Sequence, residues 1–102
     1  MKHDAFPGQI CSLARSLEVV GEWWTLLIVR EAFFGTRRFS DFEANLGISK
    51  NILVERLNTL VDHAILTRTP MPGRGNPVAY RLTDKGRDLL PVVVALMQWG
   101  DR

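Results

Sequence analysis

The sequence predicts a small, mainly α-helical domain that carries one β-hairpin. Three observations predict this class. The chain has 102 residues, a length that suits one domain over residues 1–102. Apolar residues recur at helical spacing through most of the chain. One stretch instead alternates with period two, and it borders a loop of eight residues that holds three prolines and two glycines.

The first half of the chain contains recognisable helix start and stop signals. The first helix is expected over about residues 10–20. The second is expected over Glu22–Phe34, where apolar residues on nearly all sides predict the central core helix. Ser40, followed three residues later by Glu43, predicts a capping box at the start of a short third helix. Gly47 is expected to end that helix.

The second half of the chain begins with a helix and then changes period. Ser49 is expected to cap a fourth helix whose leucines fall on one face. Two strands follow, over Ile65–Thr69 and Val78–Leu82, and the loop between them makes a hairpin. Thr83 is then expected to cap a last helix, over about residues 84–99. Pro91 should kink this helix.

The composition excludes several classes of site. A single cysteine excludes an internal disulfide, and two distant histidines argue against a zinc site. No metal or other cofactor is therefore expected. The longest apolar run, Leu89–Met97, has nine residues and contains a proline, so no membrane span is expected. Asp4 and Pro7 interrupt any signal-peptide pattern, which favours a cytoplasmic location.

The third and fourth helices have the spacing of a helix-turn-helix, since only Leu46–Ser49 separates them and the turn contains glycine. A hairpin follows directly. The net charge is only +2, but the stretch between His63 and Thr83 holds three arginines and no acid. Together these elements predict a winged helix-turn-helix. The helix that begins at Ser49 would enter a major groove, and the hairpin tip would reach a phosphate or a minor groove.

Candidate DNA contacts lie on the outward face of the fourth helix and at basic or hydroxyl positions around it. The base-edge candidates are Lys50, Asn51, Val54, Glu55 and Asn58. The phosphate candidates are Arg37, Arg38, Ser40, Ser49 and Arg68, and Arg74 at the hairpin tip is the minor-groove candidate. Polar residues at such spacing are also typical of a plain solvated face. The same face could alternatively bind a protein partner.

A family resemblance covers nearly the whole chain, from about Cys11 to Gly100. The segment Trp24–Glu31 and the turn Gly47–Ser49 resemble the HxlR-type transcriptional regulators, which are relatives of the MarR group. Glu22-Trp23 departs from the family pattern, which commonly has Gly and a basic residue there. The resemblance implies a homodimeric regulator of bacterial transcription, acting as a repressor on a pseudo-palindromic stretch of double-stranded DNA.

The resemblance also implies that the first and last helices form the dimer interface. The residues expected there are Leu13, Leu17, Leu89, Val93, Leu96, Met97 and Trp99. The aromatic residues around the second helix are interpreted as core, and a ligand pocket lined by some of them is the alternative. They are Trp23, Trp24, Phe33, Phe34, Phe39 and Phe42.

Cys11 admits two interpretations. It could sense an oxidant, with Arg15 supplying positive charge, or it could be a buried small apolar residue. A small-molecule or oxidant effector is therefore one expectation. No catalysis is expected, because the sequence offers no Gly-rich phosphate loop and no nucleophile with a histidine nearby.

Overall fold

The structure is a computed structural model that describes residues 11–102. Expectations for the first ten residues, including the helix start at Ile10 and the absence of a signal peptide, lie outside this range. Within it, a two-stranded antiparallel hairpin interrupts a series of helices. The elements are α1 (Ser12–Val20), α2 (Thr25–Phe33), α3 (Phe39–Leu46), α4 (Lys50–Asp62), β1 (Leu66–Pro70), β2 (Val78–Leu82), α5 (Asp84–Arg87) and α6 (Leu90–Gly100). This confirms the predicted mainly α class with one hairpin.

The core is built around α2, as its all-round apolar sequence predicts. Ile28 and Val29 of α2 are fully buried, together with Phe42 of α3 and the leucines at 53, 57 and 60 of α4. Each fully buried side chain of this size stabilises the fold by about 1.5–3 kcal/mol. The inward stripe of α4 is therefore fixed against α2 and α3, and its other face is left to solvent.

The expected start of α2 at Glu22 is wrong, since the helix begins at Thr25. The Glu22 carboxylate stands just before the helix and accepts hydrogen bonds from the Trp24 backbone N–H at 2.7 Å and from Thr25 Oγ1 at 3.2 Å.

The interpretation of all the aromatic residues as core is also wrong. Trp23 and Phe34, which flank α2, are largely exposed.

The capping box expected at the start of α3 is wrong as well. The helix begins at Phe39 with Arg38 as its N-cap, and no side chain caps it, so Ser40 lies inside the first turn. Glu43 does not reach back to the helix start, because its carboxylate binds Lys50 of α4 instead. A tertiary ion pair has replaced the local motif.

The turn between α3 and α4 confirms the predicted helix-turn-helix geometry. Gly47 ends α3 with φ of 66°, a left-handed conformation that favours glycine. Ser49 then caps α4, and its Oγ accepts from the Ile52 N–H at 3.4 Å. Ile48 between them is buried. Both predicted signals act where the sequence placed them.

The hairpin pairs Leu66 with Leu82 at one end and Pro70 with Val78 at the other. Its first strand therefore runs one residue later than the sequence predicts. The Tyr80 N–H donates to the Arg37 carbonyl at 2.8 Å. This bond attaches the hairpin to the segment that leads into α3, so the wing is held beside the helix-turn-helix.

The prediction of one kinked last helix is wrong. The segment forms two helices, and the break falls at Asp88 and Leu89, before the proline. Thr83 does cap α5, where its Oγ1 accepts from the Gly86 N–H at 2.9 Å. Pro91 lies in the first turn of α6, where a missing N–H costs nothing. No helix in the described range is long and apolar enough to cross a membrane.

Candidate nucleic-acid interface

The two faces of helix α4 differ clearly in solvent exposure. The five residues proposed for base contact are all exposed, whereas the leucines of the opposite face are fully buried. The exposed set is Lys50, Asn51, Val54, Glu55 and Asn58. An α-helix with a polar outward face fits the width of a major groove. The structure therefore brings the predicted reading residues together on one surface.

Lys50 does not project freely from the start of α4. Its Nζ lies 2.9 Å from Oε1 and 2.8 Å from Oε2 of Glu43 in α3. The lysine side chain remains 72% exposed, and that of the glutamate is 28% exposed. The sequence reasoning missed this role of Glu43, because its spacing from Ser40 suggested a local cap instead.

Asn58 is joined to the wing. Arg68 Nη2 of β1 donates a hydrogen bond to Asn58 Oδ1, and the Arg68 guanidinium lies 5.9 Å from the centre of the Tyr80 ring. Stacking on an aromatic ring favours a cation and restricts its position. The pair ties the last turns of α4 to the hairpin and occupies the amide oxygen that would otherwise accept from a base.

The phosphate candidates differ in how available they are. Arg37 is half-buried, and its Nη1 donates to the carbonyls of Ala32 at 2.8 Å and Thr36 at 2.9 Å. Much of this guanidinium therefore braces the end of α2. Arg38 is exposed, as are Ser40 and Ser49 in the first turn of α3 and at the N-cap of α4. Helix N-termini present free N–H groups that favour phosphate.

The wing tip extends beyond β1 and β2 as the segment Met71–Pro77. The Met71 N–H donates to the Pro77 carbonyl at 2.9 Å and closes the loop. Arg74 lies exposed at its centre. It takes part in no ion pair or hydrogen bond within residues 11–102 that would hold it back from a phosphate.

Two further acidic residues join the elements around α4, and the sequence reasoning assigned neither a role. Glu31 of α2 is buried and accepts hydrogen bonds from Thr36 and from Asn45 of α3. Glu22 lies 3.4 Å from Nε of Arg56 in α4. A carboxylate next to Arg30, in a helix that is otherwise mostly apolar, was the available signal for Glu31.

The residues expected at a dimer interface lie in different environments. Leu13, Leu96, Met97 and Trp99 are exposed, and Leu17 and Leu89 are half-buried. Val93 is only 7% exposed and belongs to the chain's own core. It therefore supports α6 from within and offers little surface to a partner.

Cys11 is exposed, so its interpretation as a buried apolar residue is wrong. It is the N-cap of α1, and its Sγ accepts from the Ala14 N–H at 3.3 Å. The Arg15 N–H donates to the Cys11 carbonyl at 3.1 Å. The thiol therefore lies at the start of α1, open to solvent.

Comparison with known proteins supports the sequence resemblance. The model of the HxlR-like helix-turn-helix family matches residues 19–102. A relative from Mycobacterium tuberculosis, named as an HTH-type transcriptional regulator, is 52% identical over 90 residues, which cover 88% of this chain and 57% of the relative. The chain thus spans little more than half the length of that relative.

Solved structures share the fold. The crystal structure of PA1607, described as a candidate transcription factor, is 48% identical with a TM-score of 0.85, over 92% of this chain and 66% of the other. The redox regulator HypR in its reduced form is 27% identical with a TM-score of 0.82, over 89% and 91% of the two chains. The chain therefore belongs to the HxlR-like helix-turn-helix family.

Proposed function

We propose that this chain is a sequence-specific DNA-binding regulator of transcription that acts as a homodimer on a pseudo-palindromic operator. The observation that carries the proposal is the exposed polar face of α4, held beside an arginine-bearing hairpin. The family and the named roles of its members support the same function. No catalytic step is part of the proposal.

In the proposed complex, α4 lies in a major groove and the wing reaches the neighbouring backbone. Asn51 and Val54 supply an amide for adenine and a methyl contact for thymine. Arg38, Ser40 and Ser49 contact phosphates and fix the register. Arg74 enters a minor groove, where a narrow A·T-rich segment attracts arginine.

Exposed apolar side chains on α6 support the homodimer. Leu90, Leu96, Met97 and Trp99 all face solvent. A groove of about 300 Å³ runs between α2 and α6 and includes Trp23 among its lining residues. Contiguous apolar surface of this kind marks an interface. A second copy placed there would present two recognition helices to successive major grooves. Bound across a promoter, such a dimer would act as a repressor, because it excludes other proteins from that duplex.

The test is selection of bound duplexes from random DNA by the purified, reduced protein. We expect an enriched inverted repeat with half-sites about one helical turn apart. Asn51→Ala should cost about 1–3 kcal/mol of binding free energy and relax one base position in each half-site. Arg74→Ala should instead weaken binding and relax any preference for an A·T-rich segment beside the half-site, while the base read by Asn51 stays the same. An unchanged selected sequence with Asn51→Ala would show that the reading face is misplaced.

A second candidate is a protein-interaction module that uses the same face of α4. Two observations favour it: Ile52 and Val54 are exposed apolar residues on that helix, and Lys50 is already ion-paired. Salt dependence separates the two functions. When a protein binds phosphates, log affinity falls linearly as log salt rises, with a slope of roughly −0.9 per phosphate contact. An interface held by apolar side chains would lack this steep dependence.

The proposal includes control by an effector. Cys11 is exposed, as an oxidant sensor requires, and HypR is named a redox regulator. We expect an oxidant or quinone to lower operator affinity in the parent but not in Cys11→Ser. Serine keeps an oxygen that can cap α1, so this variant preserves the helix. Equal responses of the two proteins would exclude the sensor role.

A cleft of about 340 Å³, lined by Arg15, Lys85 and Leu89 among others, is the alternative place for a small-molecule effector.

A further inference from the structure

Glu43 of α3 forms an ion pair with Lys50, the first basic residue of α4. Both of its carboxylate oxygens lie within 3 Å of Lys50 Nζ, at 2.9 Å and 2.8 Å. The carboxylate is the more buried partner, with 28% of its side chain exposed. The more exposed lysine therefore reaches from the start of α4 to a less exposed carboxylate on α3.

This arrangement gives the Lys50–Glu43 pair no net charge, while Lys50 keeps hydrogen-bonding capacity. A lysine ammonium has three N–H donors. Two of them suffice for the two carboxylate oxygens, so one remains for another acceptor. The negative charge of Glu43 meanwhile offsets the attraction of the ammonium for phosphate at longer range.

The Lys50–Glu43 ion pair affects contacts with phosphates and contacts with base edges differently. Attraction to phosphate is independent of sequence and supplies most non-specific affinity, whereas acceptors on base edges carry the sequence. A paired lysine can donate its remaining N–H to guanine O6 or N7 without leaving Glu43. It cannot neutralise a phosphate fully unless the pair breaks.

We propose that Glu43 is a specificity-determining residue, which withholds Lys50 from phosphates and orients it toward a base acceptor. The inference rests on the proposed function, since it concerns how the same face distinguishes operator from other DNA. Glu43 itself contacts no DNA in this scheme and acts through Lys50. It is thus a positioning residue.

Asp41 provides a matched control on the same helix. It is exposed in the first turn of α3, and it forms no ion pair within residues 11–102. Asp41→Asn removes one negative charge near the proposed interface without releasing a lysine. Glu43→Gln removes the same charge and releases Lys50.

The experiment measures affinity against salt concentration for two duplexes of equal length: the inverted repeat recovered by selection, and a scrambled sequence. We expect Glu43→Gln to raise affinity for the scrambled duplex by roughly two- to fivefold, and to raise affinity for the selected repeat less. The slope of log affinity against log salt should steepen by roughly 0.9 per freed lysine. In a Lys50→Gln background, Glu43→Gln should have only the effect of Asp41→Asn.

Equal effects of Glu43→Gln and Asp41→Asn in both backgrounds would overturn the inference, because net charge alone would then explain them. So would an unchanged ratio between the two duplexes. A selection that recovers no repeat would refute the proposed function instead, and the inference with it. Thermal melting of each variant checks that the fold is intact.

Discussion

Glu31 is a buried acid whose side chain links α2 to α3. It lies in the central helix with 7% of its surface exposed. Its Oε1 accepts from Thr36 Oγ1 at 3.1 Å and from Asn45 Nδ2 at 3.0 Å, while Arg30 Nη2 lies 3.3 Å from Oε2. A buried carboxylate is tolerated only with such partners. These contacts join α2 to the segment after it and to α3, against which α4 packs.

Glu31→Ala should therefore lower the free energy of unfolding by about 1–3 kcal/mol, because the hydrogen-bond donors of Thr36 and Asn45 lose their acceptor. Glu31→Gln keeps a carbonyl oxygen at the same distance along the side chain and should lose less. Urea denaturation followed by circular dichroism measures both. If the two variants were equally stable, the hydrogen bonds would not be the cause.

Single residues divide into those whose roles depend on neighbours in sequence and those that depend on the fold. Ser49 and Thr83 act as helix caps as predicted, since each binds an N–H three residues away. Glu43 was assigned wrongly because its partner belongs to the next helix. Arg37 and Asn58 engage groups that only the folded chain brings near. Local chemistry can be read from spacing, whereas tertiary partners cannot.

At the scale of elements, the junction between the hairpin and α5 is a close contact that depends on glycine. A Cβ atom on Gly86 would lie 2.2 Å from the Ile65 carbonyl oxygen. That oxygen cannot move aside easily, since it accepts from the Thr83 N–H at 3.0 Å and from Thr83 Oγ1 at 3.2 Å. The absence of a side chain at Gly86 lets α5 lie directly against the start of the wing.

Gly86→Ala should destabilise the protein by about 1–3 kcal/mol, the usual range for forced overpacking. Gly100→Ala is the control. A Cβ there meets nothing within 4 Å, and alanine favours helix, so that variant should be neutral or slightly more stable. Melting temperatures of the two variants check the pair. Similar melting temperatures for both would mean that the junction yields more readily than its hydrogen bonds suggest.

The last helical segment shows what an apolar pattern leaves undecided. The stripe of leucine, valine and methionine through 84–99 predicts a helix but not its interruption. The structure breaks it at Asp88 and Leu89 and lets α6 restart with Pro91 in its first turn. The restart directs Val93 inward against α2 and leaves most of α6 facing solvent. Periodicity gave the element type, and packing decided its direction.

At the scale of the whole molecule, the distribution of exposed apolar side chains is uneven. Six of the eleven large exposed hydrophobic residues in the described range belong to α6. That helix contains no charged residue. An isolated chain would keep this surface in water at considerable cost, whereas a second copy would bury it. The sequence predicts that α6 is apolar. It does not indicate whether the core of the same chain or a partner covers this helix.

Leu96→Glu tests that second copy. Leu96 is 50% exposed on α6, and Val54 on α4 is 46% exposed, so Val54→Glu places the same charge at a similarly exposed site outside the proposed interface. In sedimentation analysis we expect the parent and Val54→Glu at twice the chain mass, and Leu96→Glu at the chain mass. A carboxylate desolvated at the interface without a partner accounts for the difference.

DNA binding should separate the same two variants in a different way. Val54→Glu should remain dimeric but lose operator affinity, because its carboxylate faces the DNA. Leu96→Glu should retain weak binding to a single half-site and lose the gain that comes from linking two half-sites. If all three proteins sedimented at twice the chain mass, α6 would not form the dimer interface. A dimeric Leu96→Glu with full operator affinity would show that the two recognition helices are joined through another surface.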